Sequence, residues 1–125
     1  MAIKRHVAQA SKFIRFSVSM WVYEELKQIA EFDDVHGRSA RDVLGLVESG
    51  IISVKSVQAG QEHAENIDMG EAETLTLAES DEYDYIITDD VKALPYIKSK
   101  AKVKVLTSVF VIRLLYDLNI LTHQR

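Results

Sequence analysis

GEAETLTLAESDEYDYIITDD, residues 70–90, is the stretch on which the fold turns. It joins an acidic helix start to a short apolar, β-branched run that ends on two aspartates. Glu71 and Glu73 would stand in a first helical turn, where the helix dipole favours negative charge. Asp89 and Asp90 would stand at the carboxyl end of a strand, the edge at which an α/β sheet gathers its ligands. A hard divalent cation needs several carboxylate oxygens converging on one point, so the stretch reads first as part of a metal site.

Outward from this segment, the apolar period switches between strand-like and helix-like. Strands are expected at 13–18, 51–57, 83–88 and 102–106, and the third is expected to be buried. Helices are expected at 20–30, 39–49, 71–80, 91–100 and 108–118. Ser19 is placed to cap the first helix and Gly50 to end the second in a left-handed conformation. Pro95 fits only if its helix begins near Leu94. The polar stretch 58–69 has no clear period and reads as a loop. Alternating strands and helices imply crossover connections and a parallel sheet covered on both faces. The expected class is α/β, a three-layer α/β/α arrangement with a mainly parallel sheet.

Composition bounds the function. At 125 residues with 47% hydrophobic content and one proline, residues 1–125 are expected to form a single domain. No cysteine is present, which excludes disulfides and thiolate metal sites. No apolar run approaches the roughly 20 residues that cross a bilayer, and the basic N-terminus lacks the form of a secretory signal, so a cytoplasmic location with no membrane contact is expected. A net charge of −4 argues against gripping nucleic acid by bulk electrostatics, leaving a local basic patch or a bound cation for that task.

The motifs VYEEL (22–26), GEAETLTLA (70–78), YIITDD (85–90) and VKVLTSVFVIRLLYDLNIL (103–121) together resemble the PIN domain, in particular its GEAE-type branch, many members of which pair with antitoxins. The resemblance covers residues 13–121. It implies a metal-dependent ribonuclease on a parallel α/β sheet, with Mg²⁺ or Mn²⁺ held by acidic side chains. It also implies RNA as substrate and an antitoxin or other protein partner; a homo-oligomer is expected as well, with part of the apolar helix 108–118 available for a dimer interface. Carried over position by position, the acid of the early helix falls on Glu25, that of the central helix on Glu71 with Glu73 in competition, and that after the late strand on Asp90 with Asp89 beside it. Thr88 is placed to hydrogen-bond a ligand carboxylate or a metal-bound water. The family's first strand ends in an aspartate, and nothing from Met1 to Tyr23 is acidic. That strand is central in the family's sheet. Its place is expected to be closed by the flanking strands, filled by a partner chain, or supplied by a start upstream of Met1. A PIN fold that has lost catalysis and acts as a binding or assembly module is the alternative.

Plainer readings stand beside these. Glu24 and Glu25 suit a solvated helix face, and one of Asp89 and Asp90 suits a helix cap. The alternating Lys98, Lys100, Lys102 and Lys104 could hold an RNA backbone, the first three being the candidate contacts, or could complement a helix end and guard a sheet edge. His6, His36, His63 and His123 show no ligand spacing and read as surface residues. Trp21, Tyr23, Tyr85 and Phe110 read as core.

Overall fold

The computed structural model describes residues 15–80 and 83–107, which fall into two compact units, residues 15–55 and residues 56–107. The expected helix at 108–118, Phe110, His6, His123 and the first two residues of the expected first strand lie outside the described residues.

The first unit contains β1 (Phe16–Ser19), α1 (Met20–Ile29), α2 (Val35–Glu48) and β2 (Ile52–Lys55). β1 pairs with β2 in parallel, Phe16 opposite Ile52 through Ser19 opposite Lys55. The chain passes from β1 into α1 without a loop because Ser19, extended and almost fully buried, accepts a hydrogen bond from the Val22 N–H at 3.2 Å through its Oγ. That is the expected cap, and it satisfies one of the donors a helix start leaves open. Asp34 does the same for α2, its Oδ1 accepting from the Gly37 N–H at 2.8 Å. Arg41 holds the connection between the helices by donating to the carbonyls of Ala30 and Phe32 at 2.7 and 3.2 Å. α2 ends as its sequence requires: Gly50 takes φ 82°, its N–H reaches the Val47 carbonyl, and the Ile51 N–H reaches that of Leu46. This pair of bonds closes a Schellman motif, which needs a residue without a Cβ penalty at that point. α2 starts earlier than expected, at Val35, because the Asp34 cap precedes the apolar period that announces the helix.

The second unit contains α3 (Gln61–Asn66), α4 (Met69–Ser80), β3 (Tyr85–Ile87), α5 (Leu94–Lys100) and β4 (Lys104–Leu106). β3 and β4 pair in parallel with α5 as the crossover, Tyr85 opposite Lys104 and Ile87 opposite Leu106. Leu75, Ile86, Ala93 and Ile97 form its core, with Ile67, Ala78 and Val105 packed against them. Leu75 and Ala78 face inward as their spacing indicated, and α5 begins at Leu94 with Pro95 in its first turn. Three corrections belong here. The stretch read as a loop contains α3, whose single turn and a half is too short for a period to show. Its Gly60 N–H is pinned to α4 by the Thr76 hydroxyl at 2.9 Å. β3 is buried on one face only, with Ile86 inside and Tyr85 and Ile87 48% and 41% exposed. Trp21 is also exposed, so neither it nor Tyr85 is a core residue.

The fold is α/β with parallel strand pairs throughout the described residues, as the alternation of periods predicted. None of the described helices is long and apolar enough to cross a membrane.

Candidate functional site

The start of α4 and the end of β3 meet at one buried hydroxyl. Thr88 follows β3, its N–H still in the ladder to the Leu106 carbonyl at 3.0 Å, and it is 7% exposed. Its Oγ1 donates to the Glu71 carboxylate at 3.1 Å and accepts from the Asp90 N–H at 3.2 Å. Glu71 sits in the first turn of α4 and is half-buried. The strand end and the helix start are therefore brought together by a side chain whose single proton can serve only one acceptor. The bond to Thr88 distinguishes Glu71 from Glu73, which is buried on the same helix.

Asp90 has a second task. Its Oδ1 accepts from the N–H groups of Lys92 and Ala93 at 3.0 and 3.3 Å, capping the turn that leads into α5. One of the two aspartates was expected to cap, and it is the one also assigned to metal. A carboxylate has two oxygens, and both cap bonds use the same one. Asp89, beside it, is exposed.

Glu25 belongs to the first unit, exposed on α1, where its neighbour Glu24 pairs with Lys27 at 3.1 Å. The first unit also carries an apolar cleft of about 520 Å³ between α1 and α2, lined by Leu26, Ile29, Phe32 and Val43. The acid in its lining is Asp34, already spent on its cap. Lys98 and Lys100 fall in the last turn of α5, where positive charge complements the helix dipole. Lys100 is engaged further, its Nζ 2.6 Å from Glu62 Oε1. Its hydrogen bond and charge hold the Glu62 carboxyl below its usual range, and Glu62 in turn raises Lys100. Lys102 is exposed between α5 and β4.

Sequence reasoning missed His63. Expected at the surface, it is 8% exposed and bridges two helices, Nδ1 lying 2.8 Å from the Tyr96 hydroxyl and Nε2 2.9 Å from Glu79 Oε1. A carboxylate only accepts, so Nε2 carries the proton toward Glu79. Burial, with the Glu62 charge adding to it, raises the Tyr96 phenol. No local signal announces His63, because its partners Tyr96 and Glu79 lie 33 and 16 residues away.

The donor chemistry around Thr88 suits a hard cation: the Glu71 carboxylate takes the hydroxyl proton, the Asp90 main-chain N–H donates to the hydroxyl oxygen, and both side chains offer oxygen ligands. It is not a full cage, because among the described residues no group of three or more histidines and acids is gathered for a metal. The parallel β/α units place the chain among α/β proteins, whose ligands gather at the carboxyl ends of the strands. A family model of the PIN domain, DUF3368, matches residues 6–125, and the chain belongs to that family. Nuclease activity dependent on divalent metal is the general property of PIN domains. No curated protein and no solved structure shows significant similarity to the chain.

Proposed function

We propose that the protein is a ribonuclease of the GEAE-type PIN branch, hydrolysing RNA phosphodiester bonds with Mg²⁺ or Mn²⁺, and that it works in the cytoplasm as the toxin of a toxin and antitoxin pair. The observation that supports this most is the Thr88 hydroxyl, which ties the Glu71 carboxylate to the main-chain N–H of Asp90 and so sets the two acidic residues close together. Glu71 and Asp90 would hold the ion, with Asp89 and Glu73 as neighbouring carboxylates. Glu25 enters from the family resemblance alone. A divalent ion in such a place supplies positive charge for a phosphoryl oxygen and lowers the pKa of a water. Thr88 orients Glu71, and the helix-capping bonds fix Asp90, so neither carboxylate has to reorganise when charge develops. Lys98 and Lys102 carry positive charge suited to a phosphate backbone, which an acidic protein needs in order to approach RNA. Lys100 is less available because Glu62 holds it.

A second reading is a PIN fold without catalysis, acting as a binding or assembly module. The absence of a three-acid cluster among the described residues favours it. Mn²⁺ titration followed by thermal unfolding separates the two from a protein that binds no metal. The nuclease reading expects Mn²⁺ to raise the melting temperature, the Asp90→Asn variant to abolish the rise, and a generic single-stranded RNA to be cut by the wild type only. Asparagine caps helices as well as aspartate does, so this variant removes charge and keeps the turn. Metal binding without RNA cleavage supports the second reading, and no shift in the wild type sinks the metal site.

A further inference from the structure

The chain's one tryptophan stands in the open at the carboxyl end of the β1–β2 pair. Trp21 lies in the first turn of α1, two residues after Ser19, and is 47% exposed. The parallel register sets Ser19 opposite Lys55, so the last residue of β2 lies one strand spacing, about 4.8 Å, from the residue that leads into α1. Lys55 is exposed as well. An indole and an ammonium group are thus rooted at one end of the same strand pair, the end at which a parallel sheet takes its ligands. Glu25, the acid that the family resemblance assigns to a metal, follows Trp21 by four residues and so shares its face of α1.

Single-stranded nucleic acid matches both groups. Every base has a π face that stacks on an aromatic side chain, and the phosphate next to it takes a lysine. Lys27 on α1 is spent within its own helix, 3.1 Å from Glu24 and 4.8 Å from the centre of the Tyr23 ring, and it balances the Glu24 charge there. The cation offered beside the indole therefore comes from the neighbouring strand, as Lys55. We infer that the carboxyl end of the β1–β2 pair is a nucleotide subsite, in which Trp21 stacks an unpaired base and Lys55 holds the adjoining phosphate. A base inside a duplex is already stacked on both faces, so the subsite selects single strands over paired RNA. The inference rests on the RNA reading above and adds the strandedness of the substrate to it.

Trp21 is its own reporter, because no other residue contributes indole fluorescence. The full chain is titrated at low salt, in EDTA so that no strand is cut, with a short oligoadenylate and with the same strand paired to its complement. The single strand is expected to quench the fluorescence and the duplex to leave it unchanged. By anisotropy of the labelled strand, Trp21→Leu should bind about tenfold more weakly, whereas Trp21→Tyr, whose ring still stacks, should bind nearly as the wild type does. Lys55→Gln should weaken binding and lower the salt slope by about one. The proposal is overturned if the single strand leaves the indole unquenched, if the duplex quenches it equally, if Trp21→Leu binds as the wild type does, or if Lys55→Gln keeps the full salt slope. Cleavage in Mn²⁺ is read separately. Quenching without cutting keeps the subsite and ends the nuclease reading, and cutting by Trp21→Leu at the wild-type KM keeps the nuclease reading and ends the subsite.

Discussion

Thr88 and Glu71 meet side chain to side chain at 3.1 Å although 17 residues of chain separate them. The contact fixes the start of α4 against the end of β3. Replacing Thr88 by valine keeps the shape and removes the hydroxyl, so the Asp90 N–H loses its acceptor and Glu71 a donor. The expected cost is about 1–3 kcal/mol of stability, with a weaker Mn²⁺-induced rise in melting temperature. Thr88→Ser should restore the metal response. A valine variant with unchanged metal response would separate the hydroxyl from the site.

His63 should matter to stability more than any other histidine described. His63→Ala leaves the Tyr96 hydroxyl and the Glu79 carboxylate without their shared partner and opens space between three helices. A loss of about 2–4 kcal/mol is expected in urea unfolding. Tyr96→Phe and Glu79→Gln should each cost less, and the His63→Ala/Glu79→Gln double variant should be less destabilised than the sum of the two single variants.

The Glu62–Lys100 pair makes a two-sided pH prediction. The Glu62 pKa is depressed in the folded chain, so its contribution is present above the unfolded carboxylate value of about 4.3 and is lost as pH falls through the folded one. The Lys100 pKa is raised, so its contribution is complete below about 10.4 and is lost as pH rises through the folded value. The difference in stability between wild type and Glu62→Gln should be level across neutral pH and shrink at both ends. Both side chains are exposed, so the plateau should be small and should fall with salt. A difference that instead grows in acid would contradict the assignment.

Gly37 is expected to tolerate no substitution. A Cβ there would run into the backbone carbonyl of Phe32, with the Ile29 carbonyl at 3.2 Å behind it. Neither is the end of a flexible side chain, so relief requires moving the connection that Arg41 holds. Gly37→Ala should cost about 3 kcal/mol or more, whereas Gly60→Ala, whose Cβ would meet only side-chain atoms no nearer than 3.4 Å, should cost far less. Thermal unfolding of the two variants side by side checks this.

Local chemistry made much of the fold legible. Ser19 as a cap, Gly50 as a left-handed stop and Pro95 in a first turn each follow from what one residue type can do with its own backbone. The parallel pairing followed from the alternation of periods. α3 was hidden because six residues carry too little periodicity, and its inward residue is a histidine satisfied by Tyr96 and Glu79, both distant in sequence. Tyr85 and Trp21 were misjudged for the complementary reason: an aromatic in an apolar run reveals its face only once the neighbouring strand or helix is placed. At the site, the two acids of the second unit were readable as types at a strand end and a helix start. The Thr88 hydroxyl was readable as a donor to a nearby carboxylate, but not which one, because Glu71 lies 17 residues away. Which aspartate caps could not be read from adjacent identical residues, because the choice is made by the direction in which the chain leaves β3.

The double duty of Asp90 bears on how sequences of this kind should be compared. The helix start needs an acceptor at that position whether or not any RNA is cut, so a lineage that abandoned hydrolysis would still be under selection to keep an aspartate or asparagine there. Glu71 is held instead by the Thr88 hydroxyl, a bond that a neutral glutamine could also accept. Across relatives, the substitution that should mark a change of activity is therefore the exchange of aspartate for asparagine at position 90 together with drift at position 71, and not the mere survival of a polar residue after the strand.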